Sequence, residues 1–242
     1  MFLLFDCNNF FASCEQVFRP DWRDRPLVVL SNNDGCVISR SPEAKAIGIA
    51  MGEPYFQCRE RLERAKAVVC SSNFSLYGDL SDRIMGILEE ALPDLQQYSI
   101  DEAFAHVEGS HIDWVELSRC IRERIRRWTG ITVSVGIAPT KTLAKLANET
   151  AKHAPALGGL LALNGSKDWA DLLDRTPVGD VWGVGRRLAP RLMGWASARL
   201  APSRAPASPG CASSSACMAN ASRWNCAARP AWRRSTAPRA HK

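Results

Sequence analysis

The sequence predicts an α/β protein, of the α+β kind, and three observations carry that expectation. Apolar runs of strand length recur along the chain, among them MFLLF (1–5), LVVL (27–30) and ITVSVGIA (131–138). Between them lie segments whose apolar residues repeat at helical spacing. Asn, Gly and Pro punctuate the changes of period. With 242 residues, 46% hydrophobic and 23% charged, the chain can bury a sizeable core.

Taken in order, MFLLF reads as a buried strand that meets Asp6 at once, too short for the apolar core of a signal peptide. NNFFASCEQVF (8–18) has helix-compatible spacing, and LVVL and GCVISRS (35–41) follow as second and third strands. SPEAKAIGI (41–49) opens a helix with Ser41 as cap, Pro42 at the first position and Glu43 next. AVVCSS (67–72) reads as a strand. In SLYGDLSDRIMGILEEALP (75–93), Leu76, Leu80, Ile84, Ile87, Leu88 and Ala91 share one helical face until Pro93. YSIDEAFAHVEG (98–109) is a strand with the doublet Asp101-Glu102 at a bend. DWVELSRCIRERIRRWTG (113–130) aligns Trp114, Leu117, Ile121, Ile125 and Trp128 and ends at Gly130. After ITVSVGIA, TKTLAKLANETAK (140–152) is a helix. This order predicts a sheet with helices packed on one face.

Charge is unevenly spread. The net charge is +6, yet residues 195–242 hold seven Arg, one Lys and no Asp or Glu, which leaves about −2 on residues 1–194. Any basic surface on the patterned part must be local. Beyond about residue 194 the chain has no Ile, Val, Phe or Tyr and a single Leu, Leu200, with no period to bury. Its Ala, Arg, Pro, Cys and Trp are residues of GC-rich codons. The expectation is a disordered, basic, low-complexity tail read out of frame from about codon 194 and trimmed first by protease. Nine cysteines include no CxxC pair, so reduced, mostly buried thiols are expected rather than zinc. No apolar run spans a bilayer, and a cytoplasmic protein without membrane partners is expected.

Two acidic sites invite a chemical reading. Asp6 ends the first strand, either as a cap of the following helix or as a ligand. Asp101-Glu102 is either a solvated acidic turn or the second half of the same site. Carboxylates at the ends of neighbouring strands repel unless a cation lies between them, and Mg²⁺ prefers such hard oxygens. Two such ions can clamp the attacking and leaving oxygens of a phosphoryl transfer. Lys45, Lys141, Lys145 and Lys152 form either a solvated basic face or the partners of a triphosphate. In TPVGDVWGVGRRLAPRL (176–192), Gly183-Val184-Gly185 is either a plain corner between helices or a turn whose amides hold a DNA phosphate beside Arg186 and Arg187.

FDCNNFFASCE (5–15), SNNDGCVISRS (31–41), AKAIGI (44–49), YSIDEAF (98–104), VGIAPTKTLAKLANETAK (135–152) and DVWGVGRR (180–187) resemble, in this order, the Y-family translesion DNA polymerases. Within that family the wording is most similar to the UmuC-type subunit of bacterial DNA polymerase V and its plasmid-borne relatives. The likeness runs from Met1 to about Leu192 and does not enter the tail.

The resemblance implies a right-hand polymerase. A ferredoxin-like palm would occupy residues 1–19 and 76–165, small fingers 20–75, and a partial helical thumb 166–194 with a helix-hairpin-helix-like GVG. The tail would stand in place of the rest of the thumb and of the little finger and clamp-binding segment. Asp6, Asp101 and Glu102, with the backbone carbonyl of Cys7, would hold two Mg²⁺ ions. Phe11 would be the steric gate against ribonucleotides, where many relatives carry Tyr. Phe10, Lys45 and Lys152 would contact the triphosphate, while Pro42 replaces a Tyr that does so in other branches. Gly183, Gly185 and Arg186 would hold DNA phosphate. The implied partners are primer-template DNA, dNTP, UmuD-type accessory subunits, a RecA filament and a sliding clamp, in SOS mutagenesis at the bacterial nucleoid. The competing expectation is a truncated, catalytically silent remnant that binds DNA or a partner. A nucleotide cyclase is set aside because the chain has no GGDEF-like hairpin, and the SNNDGCVISRS and GVG elements have no place there.

Overall fold

The computed structural model describes residues 1–109 and 112–199, of which 195–199 as backbone alone. The expectations for residues 200–242, and three of the nine cysteines, lie outside the described residues.

The chain begins with β1 (Phe2–Cys7), α1 (Phe10–Phe18), β2 (Leu27–Leu30), β3 (Val37–Arg40), α2 (Pro42–Ala46), α3 (Tyr55–Arg64) and β4 (Val68–Ser71). Then follow α4 (Phe74–Ala91), β5 (Leu95–Gln97), β6 (Glu102–His106), α5 (Trp114–Thr129), β7 (Val133–Ala138) and α6 (Lys141–His153). The last described elements are β8 (Leu160–Ala162), α7 (Ser166–Arg175) and α8 (Ala189–Arg199). Residues 1–191 form one compact unit, and a second begins at Leu192. Helix α8 continues to Arg199, past residue 194, where the sequence loses its periodicity.

Two sheets organise the first unit. The larger has the order β5-β6-β1-β7-β8, with β1 antiparallel to both β6 and β7, and β8 parallel to β7. Its first four strands, with α4 and α5 between them in sequence, make the expected βαββαβ core. The smaller sheet has the order β3-β2-β4, with β2 and β4 parallel. Its apolar layer is Val28, Leu30 and Val37 against Ala44, Ile49, Cys58 and Leu62.

The large sheet is covered on both faces, not one. Leu3, Phe5 and Cys7 of β1 face α4 and α5 through Ile84, Leu88, Ile121 and Ile125. Leu4, from the other face of the same strand, packs with Leu143, Ala144 and Ala147 of α6. Alternation along a strand forces this split, because successive side chains point to opposite faces. The one-face expectation holds for the βαββαβ core and fails for α6, which follows β7 and crosses to the far side.

Local caps match the sequence. Ser41 Oγ accepts from the Ala44 amide with Pro42 in the first turn, and α5 ends on Gly130 at φ 75°. The expected apolar stripe of α5 is broken at its end. Ile121 and Ile125 are buried, but Trp128 is 63% exposed, with the Arg124 guanidinium over its ring. Ser118, Ile121, Ile125 and Thr129 form the buried arc, and Trp128 falls just outside its edge. Thr129 takes the buried position instead and returns its hydroxyl to the Ile125 carbonyl. Among the described cysteines, Cys7, Cys14 and Cys58 are buried as expected, while Cys120 is exposed.

Gly136 fixes how closely α6 approaches the sheet. A Cβ there would collide with the Ala144 carbonyl oxygen and lie 2.5 Å from the Asn148 amide nitrogen. Asn148, buried, donates its side-chain amide to the carbonyls of Ser134 (2.8 Å) and Leu4 (3.3 Å). Thus α6 is locked onto β7 and β1, in line with the end of β1.

Candidate active site

Strand pairing brings the two acidic sites together. In the β1–β6 register Asp6 lies opposite Glu102, and the Cys7 amide donates to the Asp101 carbonyl at 2.9 Å. Asp101, the bend residue just before β6, is therefore fixed beside the end of β1. Asp6 does not cap α1. The cap position is Asn9, in a left-handed conformation at φ 49°, and the ladder ends with Asn8 bonded to the Thr132 carbonyl. The Asn8-Asn9 turn is what swings Phe10 and Phe11 over the acidic pair.

The lysines of α6 divide. Lys145 Nζ donates to both carboxylate oxygens of Glu102 at 2.7 Å, and Lys152 Nζ lies 2.7 Å from Asp6 Oδ2 and 3.7 Å from Glu149. Lys141 does not join them. It bonds the Gln96 side chain and lies near the rings of Phe2 and Phe104, away from the cleft. Spacing of four residues put Lys141 and Lys145 on one helical face, but one turn along α6 brings Lys141 to Gln96 of β5 instead of the carboxyls.

Burial pushes the Asp6 carboxyl up to about 8, its hydrogen bond to Glu102 pushes the same way, and Lys152 only partly opposes them. Burial acts on Glu102 too, but the hydrogen bonds from Asp6 and Lys145 outweigh it and hold that carboxyl below its ordinary range. The pair therefore resists carrying two negative charges, and Asp6 is the harder of the two to ionise. Burial disfavours the charged form of Lys152, yet Asp6, Glu149 and Glu102 together hold its pKa above the usual value.

These residues line an open cleft of about 250 Å³. Its floor is Asp6, Asp101, Glu102 and Lys152, and its far wall, from β3, α2 and the turn after it, is Ile38, Arg40, Lys45 and Met51. Phe10 and Phe11 close one side. Phe11 stacks on Tyr77 at 4.5 Å and 19°, and Tyr77 is fixed by its hydroxyl donating to Glu15 at 2.8 Å. Burial, with Arg40 and Lys152 nearby, lowers the Lys45 pKa, so the wall is crowded with positive charge and suited to an anion.

The donor chemistry of the floor fits hard divalent cations: carboxyl oxygens on adjacent strand ends, one of them made hard to ionise by burial despite Lys152 beside it. The described residues nevertheless hold no assembled cluster of three ligating side chains. Asp101 accepts from Ser99 Oγ at 2.6 Å, and two ammonium groups sit on the other carboxyls. Cation binding at Asp6 would thus have to displace Lys152 rather than fill a ready cage. The turn Gly183–Gly185 is exposed, with φ 94° at Gly183 and nothing within 4 Å of where a Cβ would lie at either glycine. Arg186 and Arg187 are exposed beside it.

Several contributors were not singled out from sequence. Arg40 stood inside a quoted motif, and period-2 alternation through Val37, Ile38, Ser39 and Arg40 could have placed it in the cleft. Asn148 was signalled by an amide amid Leu and Ala on the buried side of α6. Ser99, Tyr77 and Trp182 gave no local signal, because their roles depend on partners distant in sequence.

The fold and this cleft together define a class. The chain is similar to an insertion ternary complex of Dbh DNA polymerase, with TM-score 0.71, 31% identity, and coverage of 81% of this chain and 58% of that one. It is similar also to a Y-family DNA polymerase chimera of Dbh and Dpo4, with TM-score 0.70, 30% identity, and coverage of 81% and 58%. The architecture is that of the Y-family polymerases. Residues 5–149 match the impB/mucB/samB family, and the chain belongs to that family. Protein UmuC of Salmonella typhimurium is 52% identical over 195 residues, covering 79% of this chain and 46% of the relative. The chain thus spans a little under half the length of that curated relative.

Proposed function

We propose that this chain carries the catalytic portion of a translesion DNA polymerase, adding dNMP to a primer 3′-OH opposite damaged template bases in SOS mutagenesis. The observation that supports this reading best is the in-register pair Asp6–Glu102, with Asp101 beside it, facing Arg40 and Lys45 across one cleft. Residues 1–19 and 76–165 serve as palm, 20–75 as fingers and 166–194 as part of a thumb.

In this reading Asp6, Asp101, Glu102 and the Cys7 carbonyl would hold two Mg²⁺ ions. When bound, they would neutralise charge at the transferring phosphoryl group and acidify the primer hydroxyl. To ligate them Asp6 would have to give up its proton, because burial holds its carboxyl high. Phe10 and Phe11 bound the sugar pocket, and the Phe11 ring, held flat by Tyr77, excludes a 2′-hydroxyl by bulk. Lys45, and Lys152 once it leaves Asp6, take the triphosphate and stabilise the leaving pyrophosphate. Gly183, Gly185 and Arg186 hold a DNA phosphate. UmuD-type subunits, a RecA filament and a sliding clamp are the proposed macromolecular partners, with co-purification as their test.

A second reading, a catalytically silent protein that binds DNA or a partner, draws on Lys145 and Lys152 occupying the carboxyls. Primer extension with Mg²⁺ and dNTPs separates the two. The first expects extension that is lost in Asp101→Ala and ribonucleotide incorporation that rises in Phe11→Ala. No extension by the wild-type chain, alone or with accessory subunits, favours the second.

A further inference from the structure

We propose that Trp182 is a positioning residue that couples the glycine turn Gly183–Gly185 to the carboxylate of Glu102 through Lys145. Lys145 Nζ is held from two sides. Both oxygens of Glu102 lie 2.7 Å away, and the rings of Tyr98 and Trp182 lie 5.4 and 5.9 Å away. An ammonium shared between a bidentate carboxylate and two aromatic rings sits in a position set by all of them, so moving one partner moves the cation.

Trp182 is itself fixed on the large sheet. Its ring meets Tyr98 edge-on at 5.6 Å and 88° and lies 6.0 Å from Phe104, two residues along β6 from Glu102. The next residue, Gly183, has φ 94°, a conformation that side-chain-bearing residues rarely adopt. Backbone geometry therefore ties the direction of the Trp182 ring to the shape of the turn. A shift of the turn passes to the ring, from the ring to Lys145, and from Lys145 to Glu102. Coupling of this kind is reciprocal, so releasing Lys145 must also loosen the turn. Nucleic-acid backbone seating on the turn would in this way act on Glu102 without touching it. That consequence rests on the proposed function; the contact chain does not.

The test uses the full 242-residue chain without DNA or nucleotide, so it does not depend on turnover. Lys145→Met is expected to speed hydrogen exchange of the amides around Gly183–Gly185 by about threefold or more while β7 stays protected. Trp182→Leu is expected to raise amine labelling of Lys145 about threefold relative to exposed Lys66, and Trp182→Phe, which keeps a ring, to leave it within about twofold. Unchanged turn exchange in Lys145→Met, or unchanged Lys145 labelling in Trp182→Leu, overturns the proposal. Because Lys145→Met reads the coupling without altering Trp182, it still decides the matter if the Trp182 variants fold poorly. If the wild-type chain extends primers, Trp182→Leu should lower kcat about tenfold with nucleotide KM nearly unchanged. A loss confined to KM would remove Glu102 positioning from the proposal. Absence of primer extension would sink the polymerase reading and leave both contact tests standing.

Discussion

The two sides of the cleft are built by different means. On the floor, Asp6, Asp101 and Glu102 are placed by backbone: strand register, a ladder hydrogen bond and the tight seat of α6 on Gly136. On the wall, Arg40 and Lys45 are long side chains from a short strand and a five-residue helix, with Arg40 steadied by one bond from Nη1 to the Ile49 carbonyl at 2.6 Å. The floor stores a buried acidic pair that disfavours full ionisation, whereas the wall concentrates positive charge beside solvent. In the proposed function, one side holds the reacting groups by backbone and the other receives an anion on long side chains.

The comparison is broken most severely from the floor. Asp6→Asn should lower nucleotidyl transfer by about 10³-fold or more, ~4 kcal/mol, measured by single-turnover primer extension. The same variant should be more stable than the wild type without divalent cation. A carboxyl whose pKa is raised in the folded state supports folding while protonated and loses that support as pH rises through about 8. The melting advantage of Asp6→Asn should therefore be near zero at pH 4 and grow toward pH 8 to a few kcal/mol, on the order of 2. A constant advantage across that range would contradict the protonated Asp6. Gly136→Ala should destabilise the chain by about 1–3 kcal/mol through collision with α6, read as a lower Tm. On the wall, Lys45→Ala and Arg40→Ala should raise nucleotide KM about tenfold each, ~1.4 kcal/mol, with little change in Tm. A large Tm loss there would show that the wall is as rigid as the floor.

Much of this was legible because it is local. Ser41-Pro42-Glu43 specified a helix start, Gly130 a helix end, and LVVL and ITVSVGIA strands, each by chemistry within a few residues. The acidic positions were legible as candidates, and Asp6 was also legible as a helix cap, which the structure replaces by Asn9. Less legible were Lys141, which shares a helical face with Lys145 yet faces Gln96, and Trp128, which matched the apolar spacing of α5 yet stands in solvent. A period assigns residues to a face of one element, not to a neighbour.

By itself, then, the sequence determined many of the elements, the caps at Ser41 and Gly130 and the types of group offered to the site, because propensity and alternation act over a few bonds. The helices Tyr55–Arg64 and Ser166–Arg175 and the short strands Leu95–Gln97 and Leu160–Ala162 were not read from it. Only the tertiary structure decided that Asp6 meets Glu102, that Lys145 and Lys152 rest on the carboxyls, and that Trp182 reaches Lys145. Those pairings join residues tens of positions apart. Their partners, burial and protonation are set by which strands pair and which helix lies against them.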